Sequence, residues 1–446
     1  MDKRIVIVGA GVAGINAATK LVDNGYPGNL ITIIDKGNDP INRLPEEVMT
    51  GMLGAGGWSD GKLTYHTAIG GQLAKYCGEE KAMELMDQVI SNFRRFHPQP
   101  EEIFMSDPQE EPEFIKPYFG LRMFPVWYIG SNFLHEIAKN WYSYLLDKGV
   151  HFIWNTEVKK IFFEENGVLY QKATEDTPRV KQYDTLIFAV GKSGIDFAQK
   201  LSDEYSFPTE PKSVQIGVRF EAPQKYFQKL IDVSYDFKLY QKFDNVSLRS
   251  FCTNNNAAYV AVEETYGDIS YNGHAKKGKE FENQMTNFGI LMEIKGIEDP
   301  FKWSRDVVQK LQENGTGLYY SPGNTRKPGL TSESTIVSAT QIGWLDLIRV
   351  TQVMEPYFDY VVKFIDDMNK VFNFGDDWGM YIPEVKYLSP EPLVNYHNLS
   401  LNQFPNVHFV GDALSARGIT VAGSQGIYVA EKLIQHSHLV DLTSAD

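Results

Sequence analysis

The first 35 residues show the apolar and polar pattern of a strand, a helix and a second strand. A short apolar run from Arg4 to Val8 precedes a glycine turn, and an amphipathic stretch then continues to about Asp23. A second apolar run, NLITIIDKG, has its acidic end at Asp35. Short apolar runs bounded by turn residues are typical of parallel strands that are buried on both faces. The pattern therefore predicts a β–α–β unit at the start of the chain.

Further strands of this kind are separated by long stretches of different character. A helical pattern covers residues 80–96, and the Pro- and Glu-rich stretch HPQPEEIFMSDPQEEPEF follows it. A helix, a strand and a hairpin are predicted within 131–173, and an apolar strand over 185–190 ends at Gly191. The last strand precedes Gly411 and a helix with a glycine-punctuated start. We expect one Rossmann-like domain to be assembled from these discontinuous segments.

The middle of the chain has a different period. From about Tyr205, runs such as SVQIGVRFEAP and FGILMEIKG alternate apolar and polar residues, which is typical of strands. Helical patterns follow at 303–312, 344–353 and 357–372. The predicted fold class is α/β, with an inserted mixed α+β substrate domain. The predicted segments are 1–80, 126–204 and 391–446 for the Rossmann-like domain, 81–125 for a helical or loop excursion, and 205–390 for the substrate domain.

Composition and charge narrow the range of partners. The 446 residues include 43 Lys and Arg against 57 Asp and Glu, a formal net charge of −14. Such a surface repels nucleic acid and anionic membranes, so neither is expected as a partner. The two cysteines are far apart in the sequence, which argues against a disulfide framework. The sequence has no run of about 18 apolar residues, so no membrane span is predicted. The first strand leaves no room for a signal peptide, so we expect a cytoplasmic protein.

The turn after the first strand carries a dinucleotide-binding fingerprint, Gly9-x-Gly11-x-x-Gly14. Gly9 permits the tight turn, Gly11 lets a pyrophosphate approach the backbone, and Gly14 lets the helix pack close to the strand. Asp35 lies 21 residues after Gly14 at the end of the second strand, where a carboxylate can accept ribose hydroxyls. The motif lies between a strand and a helix, so it predicts a bound dinucleotide.

The order of the motifs resembles one large family. GxGxxG, an acidic strand end, TEV, AVG and a C-terminal VGDA followed by a glycine-rich helix start are similar to FAD-dependent oxidoreductases of glutathione-reductase-like topology. The loop GAGGWSDGKL and the blocks GVRFE and FCTNN look most like the largely uncharacterised FAD-dependent dehydrogenases, also called NAD(FAD)-utilizing dehydrogenases. The resemblance covers most of the chain and implies FAD as the cofactor.

The resemblance also implies positions for the cofactor contacts. Asp35 is expected at the adenosine ribose, Val158 at the adenine edge, Asp412 at the ribityl chain, and the Gly418–Ile419 backbone at the flavin N1–C2=O edge. The full set of expected cofactor residues is Gly9, Gly11, Ala13, Gly14, Asp35, Lys36, Arg43, Gly56, Gly57, Ser59, Val158, Gly191, Gly411, Asp412, Arg417, Gly418 and Ile419. Arg43 is expected on the pyrophosphate or flavin side, and Arg417 at the pyrimidine end of the flavin.

The glycine loop at residues 51–67 supplies the first catalytic candidate. In this topology the loop runs under the flavin ring, and glycines at 54, 56 and 57 let the backbone press against it. Lys62 follows and is expected to reach the N5 or O4 side of the ring, as is Ser59. The alternative is a glycine-rich surface loop with a solvated lysine.

Three further catalytic candidates lie in the substrate domain. Arg219 is a candidate for orienting an anionic substrate, with an exposed ion pair to Glu221 as the alternative. His274 is a candidate general acid because imidazole titrates near neutral pH, although a loop histidine is more often only solvated. Glu384, which precedes Lys386 in PEVKYLSPEP, lies where the family carries an acidic and then a basic residue near the ring.

The reaction itself is less defined by the sequence. The loop has no cysteine pair for dithiol chemistry, no second GxGxxG unit is found, and no metal motif is found. Electrons must then come from transiently docked NADH or NADPH, from an electron-donor protein, or from a small-molecule substrate. The preferred function is a dehydrogenase or reductase that transfers hydride through flavin N5. The alternatives are a flavin-dependent monooxygenase or oxidase in a biosynthetic pathway, and a redox-neutral or electron-transfer flavoprotein.

Overall fold

The strands from both ends of the chain lie side by side in one sheet. The structure is a computed structural model that describes residues 3–44, 47–312, 316–327, 339–388 and 390–443. Within these ranges the strands, numbered in chain order, are β1 (Ile5–Val8), β2 (Ile31–Ile34), β3 (Lys62–Thr64), β4 (Phe104–Ser106), β5 (Gly120–Met123), β6 (Val126–Tyr128), β7 (His151–Ile153), β8 (Thr156–Phe162), β9 (Gly167–Lys172), β10 (Arg179–Gln182), β11 (Thr185–Phe188), β12 (Thr209–Glu210), β13 (Val214–Pro223), β14 (Phe237–Lys242), β15 (Val246–Asn256), β16 (Ala258–Thr265), β17 (Asp268–Ala275), β18 (Met285–Ile294), β19 (Gly317–Tyr320), β20 (Ala339–Ile342), β21 (Gly379–Lys386), β22 (Glu391–Pro392), β23 (Val394–Asn395), β24 (Ser400–Leu401) and β25 (Val407–Phe409).

The helices are numbered in the same way. They are α1 (Val12–Asp23), α2 (Leu73–Cys77), α3 (Glu79–Phe96), α4 (Leu134–Asp147), α5 (Ile195–Glu204), α6 (Gln228–Ile231), α7 (Pro300–Leu311), α8 (Trp344–Thr351), α9 (Phe358–Phe372) and α10 (Ile419–Thr443). The predicted helices at 80–96, 303–312, 344–353 and 357–372 correspond to α3, α7, α8 and α9.

The first sheet has the strand order β23-β24-β25-β11-β1-β2-β7. The five strands from β25 to β7 pair in parallel, although they are drawn from the start, the middle and the end of the chain. Every residue of β1, β2 and β11 is buried, as expected of parallel strands with a helix layer on each face. Helices α1 and α10 pack closely together, so the two ends of the chain form one core.

The second sheet has eight strands in the order β20-β19-β21-β13-β18-β15-β14-β5. Its strands pair antiparallel except for β19 and β20, which are parallel. Along β13, Val214, Ile216, Val218 and Phe220 belong to a core that includes α7 and α9. The alternate residues of the strand point to the opposite face of the sheet.

The predicted fold class is confirmed. A Rossmann-like parallel sheet is assembled from discontinuous segments, and a mixed α+β unit is inserted between its strands. The stretch 81–125 contributes α3, which packs beside α10, and β5, which forms an edge of the eight-stranded sheet. Within the described residues no helix is long and apolar enough to cross a bilayer.

Candidate functional site

A cavity of about 1090 Å³ lies between the two sheets. One wall is formed by the carboxyl ends of the parallel strands and the turns that follow them, and the other by residues of β13, β14, β15, β18 and β21. Clefts at the carboxyl ends of parallel strands are the usual ligand sites of open α/β sheets. The volume lies just above the range of about 300 to 1,000 Å³ found for most small-molecule and cofactor sites.

The turn between β1 and α1 places a helix N-terminus on this cavity. Gly9 has φ +108°, and a Cβ there would lie 2.2 Å from the carbonyl oxygen of Ala189. A Cβ on Gly14 would lie 2.2 Å from the carbonyl oxygen of Gly9, so the helix packs directly on the turn. Gly11 gives α1 no side-chain cap, and the first turn carries no acidic residue. Gly9, Gly11 and Ala13 line the cavity, whereas Gly14 serves the packing of the helix.

A second helix, α10, also begins at the cavity. Gly418, with φ +134°, and Ile419 line it, together with Gly411, Asp412 and Arg417. Asp412 Oδ1 lies 3.1 Å from Arg417 Nε, but this buried oxygen accepts no hydrogen bond from any residue that the structure describes. Beside its ion pair with Arg417, this oxygen can therefore still accept a hydrogen bond from a hydroxyl of a ligand.

The glycine loop packs onto the start of α1. The N–H of Leu53 donates to the carbonyl of Ala10 at 2.8 Å, and residues 54–58 form a short 3-10 helix. A Cβ on Gly56 would lie 2.4 Å from Val12 Cγ2, so only glycine allows this approach. Gly56 and Ser59 line the cavity, whereas Gly57 packs against the Met52 carbonyl.

Arg43, which was expected on the pyrophosphate or flavin side, binds the backbone of the loop that follows β2. Its buried guanidinium donates to four backbone carbonyls, those of Glu47, Val48, Met52 and Gly54, at 2.7 to 3.0 Å. Burial lowers the pKa of Arg43 to about 10, and it stays charged at neutral pH. It is not among the residues that line the cavity. Arg43 therefore holds the loop in place through these four hydrogen bonds.

Asp35 lies at the expected strand end and lines the cavity. Its carboxylate accepts hydrogen bonds from the backbone N–H groups of Ala10 at 2.7 Å and of Gly37 and Gly51 at 2.8 Å. The carboxylate thus holds together the glycine turn and the loop that follows β2. Lys36 donates to the Ser193 carbonyl at 2.9 Å. Lys36, Val158 and Gly191 line the same cavity.

Lys62 is buried and fully engaged. Its Nζ lies 3.0 Å from Asp60 and 3.6 Å from Asp236, and it donates to the Thr253 carbonyl. Burial alone lowers the pKa of Lys62, but Asp236 and Asp60 outweigh that effect and raise the pKa above its ordinary value. The ammonium is therefore a fixed cation rather than a proton acceptor. The Cys252 thiol, which lines the cavity, donates to Asp60 Oδ2 at 2.9 Å.

Arg219 and Glu384 form a buried ion pair behind the cavity wall. Arg219 Nη2 lies 2.8 Å from Glu384 Oε1, and Arg219 Nη1 donates to the Cys252 carbonyl at 3.0 Å. Neither side chain lines the cavity, so the carboxylate paired with Arg219 is that of Glu384 and the pair is not exposed. Burial raises the pKa of Glu384 to about 7, against the opposing charge of Arg219.

The sequence led us to expect His274 in a loop. The structure places it instead in strand β17. Its ring is buried and stacks on Tyr259 at a centroid distance of 5.2 Å. Burial lowers the pKa of His274, so the imidazole is neutral near pH 7. His274 does not line the cavity, whereas its neighbours Asn272 and Gly273 do.

The comparisons with known proteins are distant. No protein-family model matches the chain, and no curated protein is similar in sequence. Similar solved structures include a flavoprotein/dehydrogenase from Cytophaga hutchinsonii, with 11% identity, a TM-score of 0.41, and coverage of 97% of this chain and 79% of that chain. A halogenase, PltM, in complex with phloroglucinol and FAD has 11% identity, a TM-score of 0.43, and coverage of 98% and 70%. A tetracycline destructase has 12% identity, a TM-score of 0.39, and coverage of 98% and 83%. Similarity at this level does not assign an activity.

Metal ligands are not assembled at the cavity. In the part of the chain that the structure describes, no group of three or more His, Cys, Asp or Glu side chains is placed to hold a metal ion.

The polar groups that line the wall opposite the glycine turn include Cys252, Asn272, Arg249 and Lys386. Sequence reasoning did not select Cys252 or Arg249, because isolated residues in alternating strands carry no motif.

Proposed function

We propose that the protein binds FAD in this cavity and acts as a flavin-dependent oxidoreductase on a small organic substrate. One observation carries the proposal: two helix N-termini, those of α1 and α10, and the glycine loop converge on a single cavity. A helix N-terminus presents unpaired N–H groups and a partial positive charge, which favours bound phosphate or an anionic ring edge.

The residues present fit this cofactor. The backbone at Gly9, Gly11 and Ala13 would hold the pyrophosphate, and Asp412 Oδ1 would accept a hydroxyl of the ribityl chain. The Gly418–Ile419 backbone would stabilise negative charge at the edge of the ring. Bound FAD supplies an acceptor or donor of hydride at its N5 atom.

The opposite wall provides the substrate side of the proposed site. Phe251, Cys252 and Asn272 line it, and Lys62, held by Asp60 and Asp236, lines the cavity next to the glycine loop. These groups would bind and orient a substrate in the space between the sheets. Dehydrogenase or reductase chemistry is the first candidate, and an oxygen-using flavoenzyme is the alternative.

The test of the cofactor is a substitution at Gly11. A Cβ there would meet only the Ala189 carbonyl oxygen, at 3.9 Å, and the backbone φ of −67° suits any residue. We expect Gly11→Val to fold normally but to bind FAD at least about tenfold more weakly, because the side chain fills the space of the pyrophosphate. Gly343→Val, at an exposed glycine far from the cavity, is the matched control. FAD binding is followed by titration of flavin fluorescence, and equal affinity in all three proteins would refute the site.

The source of electrons is tested under anaerobic conditions with the FAD-loaded protein. Bleaching of the flavin absorbance within seconds of adding NADPH or NADH would support a reductase that docks a nicotinamide transiently. Oxygen uptake during turnover would instead identify the oxygen-using alternative. An unchanged band with both nucleotides would leave the substrate or a carrier protein as the electron donor.

A further inference from the structure

Two cations on the substrate wall of the cavity lack an anionic partner. Lys386, at the end of β21, lines the cavity half-buried, and its ammonium makes no hydrogen bond or ion pair with any described residue. Arg249, on β15, has Gln215 as its one hydrogen-bond partner in the described chain, at 3.1 Å. Gln215 is also the register partner of Lys386. The two cations therefore lie on either side of one residue, on the same face of the sheet.

The carboxylates around these cations are engaged elsewhere. Glu384 pairs with Arg219 at 2.8 Å, and Glu263 pairs with Lys192 at 2.9 Å. Asp412 pairs with Arg417 at 3.1 Å.

Glu293, the remaining acidic group on this face, lies farther than 4 Å from every described cation and accepts a hydrogen bond from Ser213 at 3.0 Å. The positive charges of Lys386 and Arg249 are therefore not neutralised by an ion pair with a carboxylate on this wall. An uncompensated charge in a partly dry site is costly unless a ligand supplies the counter-charge.

Phe251 forms the floor beneath the two cations. The ammonium of Lys386 lies 3.8 Å from the centroid of the Phe251 ring, which stabilises it by a cation–π contact. The ring itself lies against Gly289, where a Cβ would come within 2.2 Å of Phe251 Cε1. The wall thus offers an apolar surface next to a positive one.

The charges around Lys386 make its protonation sensitive to a bound ligand. Burial lowers the pKa of Lys386 well below its ordinary value, and Arg249, Arg417 and Lys192 lower it further against the opposing charge of Glu384. An anion bound beside the ammonium would raise this pKa again.

Arg249 has charged neighbours of both signs. Burial lowers its pKa, Glu293 opposes the change, and Arg122 adds to it. Arg249 nevertheless remains charged, because a guanidinium does not lose its proton at physiological pH. Arg249, which is always charged, therefore lies near Lys386, whose protonation depends on whether an anion is bound.

We propose that the substrate of this protein is a small organic anion whose carboxylate or phosphate binds between Arg249 and Lys386 and whose apolar part lies on Phe251. Arg249 provides a planar pair of donors for two oxygens, and Lys386 provides a point charge. The inference rests on the proposed flavin site, which brings the cofactor to the opposite wall of the same cavity.

The test compares three probes of similar shape: benzoate, phenyl phosphate and the neutral benzyl alcohol. Binding to the FAD-loaded full chain is measured by perturbation of the flavin absorbance, and binding to the chain without FAD by thermal stabilisation. We expect one or both anions to bind at least about tenfold more tightly than benzyl alcohol, and the tighter of the two identifies the anionic group.

The matched variants are Lys386→Met, Arg249→Gln and, as control, Lys242→Met at an exposed lysine on the rim. We expect the first two to weaken anion binding at least about tenfold and the control to change it less than about twofold. Benzoate affinity should fall as the pH rises, and this fall should be smaller in Lys386→Met, because the ammonium must be protonated to bind.

The outcomes separate this inference from the proposed function. Equal binding of all three probes, or unchanged affinity in both cavity variants, would overturn the anion site even if FAD binds. Should the chain fail to bind FAD while benzoate stabilises the wild type but not Lys386→Met, the anion site stands and the flavin proposal falls.

Discussion

At the scale of single residues, Glu384 is the group whose charge depends most directly on the fold. Burial raises its pKa from 4.5 to about 7, although Arg219 and Lys386 act in the opposite direction. Because the folded pKa lies above the unfolded one, the folded protein binds more protons than the unfolded chain between these two values. The contribution of Glu384 to the free energy of unfolding therefore falls as the pH rises through this window and is constant above it.

Glu384→Gln should remove this pH dependence. Between pH 4.5 and 8 we expect the wild type to lose up to about 3 kcal/mol more of its free energy of unfolding than the variant loses. Urea unfolding at several pH values measures the difference, and Glu264→Gln, at an exposed glutamate of β16, serves as the control. If Glu384→Gln showed the same pH profile as the wild type, the carboxyl would not carry the raised pKa.

At the scale of residues, a position in the fold could be predicted where a motif restricts the backbone, but not where only packing decides. Gly9 and Gly11 could be placed because the turn has a fixed spacing between a strand and a helix. Arg43 was expected on the pyrophosphate or flavin side, and nothing in the sequence marks the four backbone carbonyls that it binds. His274 follows Asn272-Gly273, a pair typical of turns. The glycine is instead in a strand, where a Cβ would come within 2.3 Å of Asn287 Oδ1.

At the scale of elements, the crossing of α1 and α10 depends on one small residue. A Cβ on Gly426 would lie 2.0 Å from the Ala13 carbonyl oxygen, which is backbone and cannot rotate away. The two helices therefore approach each other directly at this point. Their N-termini both lie at the cavity, so this contact also sets the distance between the two proposed anion-binding helix ends.

Gly426→Ala should destabilise the protein by about 2 kcal/mol, because the helices must separate to admit the methyl group. The loss should exceed the gain of about 1 kcal/mol that alanine normally brings to a helix interior. Urea unfolding measures the effect, and Gly343→Ala, where an added Cβ would meet only Asp346 Oδ2 at 4.0 Å, is the control. A stabilised Gly426→Ala variant would show that the helices do not meet at this contact.

Elements were predicted more completely than their pairing. Helices α3, α7 and α9 and the strands of the middle sheet follow from their periods, because period alone fixes the buried face. The position of β5 at the edge of the eight-stranded sheet could not be predicted, since its partner β14 lies more than a hundred residues further along the chain. Pairing over such distances depends on the register of the whole sheet.

At the scale of the whole molecule, the charge of the cavity is opposite to that of the chain. The protein has a formal net charge of −14, yet 12 Lys and Arg side chains and 8 Asp and Glu side chains line the cavity. At physiological ionic strength charges are screened beyond about 8 Å, so a ligand at the entrance is influenced mainly by nearby side chains. An anionic dinucleotide should therefore be attracted locally although the protein as a whole repels it.

Lys36 and Lys200 provide the test of this local field, because both line the cavity and are exposed. On the proposed assignment of FAD to this site, Lys36→Gln combined with Lys200→Gln should slow FAD association about two- to fivefold at 0.15 M salt, since rim charges act mainly on encounter. The control is Lys302→Gln combined with Lys310→Gln on α7, which removes the same charge away from the cavity. Stopped-flow fluorescence of FAD binding measures both rates. An equal slowing in the control would mean that net charge governs the encounter, whereas a faster dissociation in the cavity variant would mean that the two lysines contact the bound cofactor.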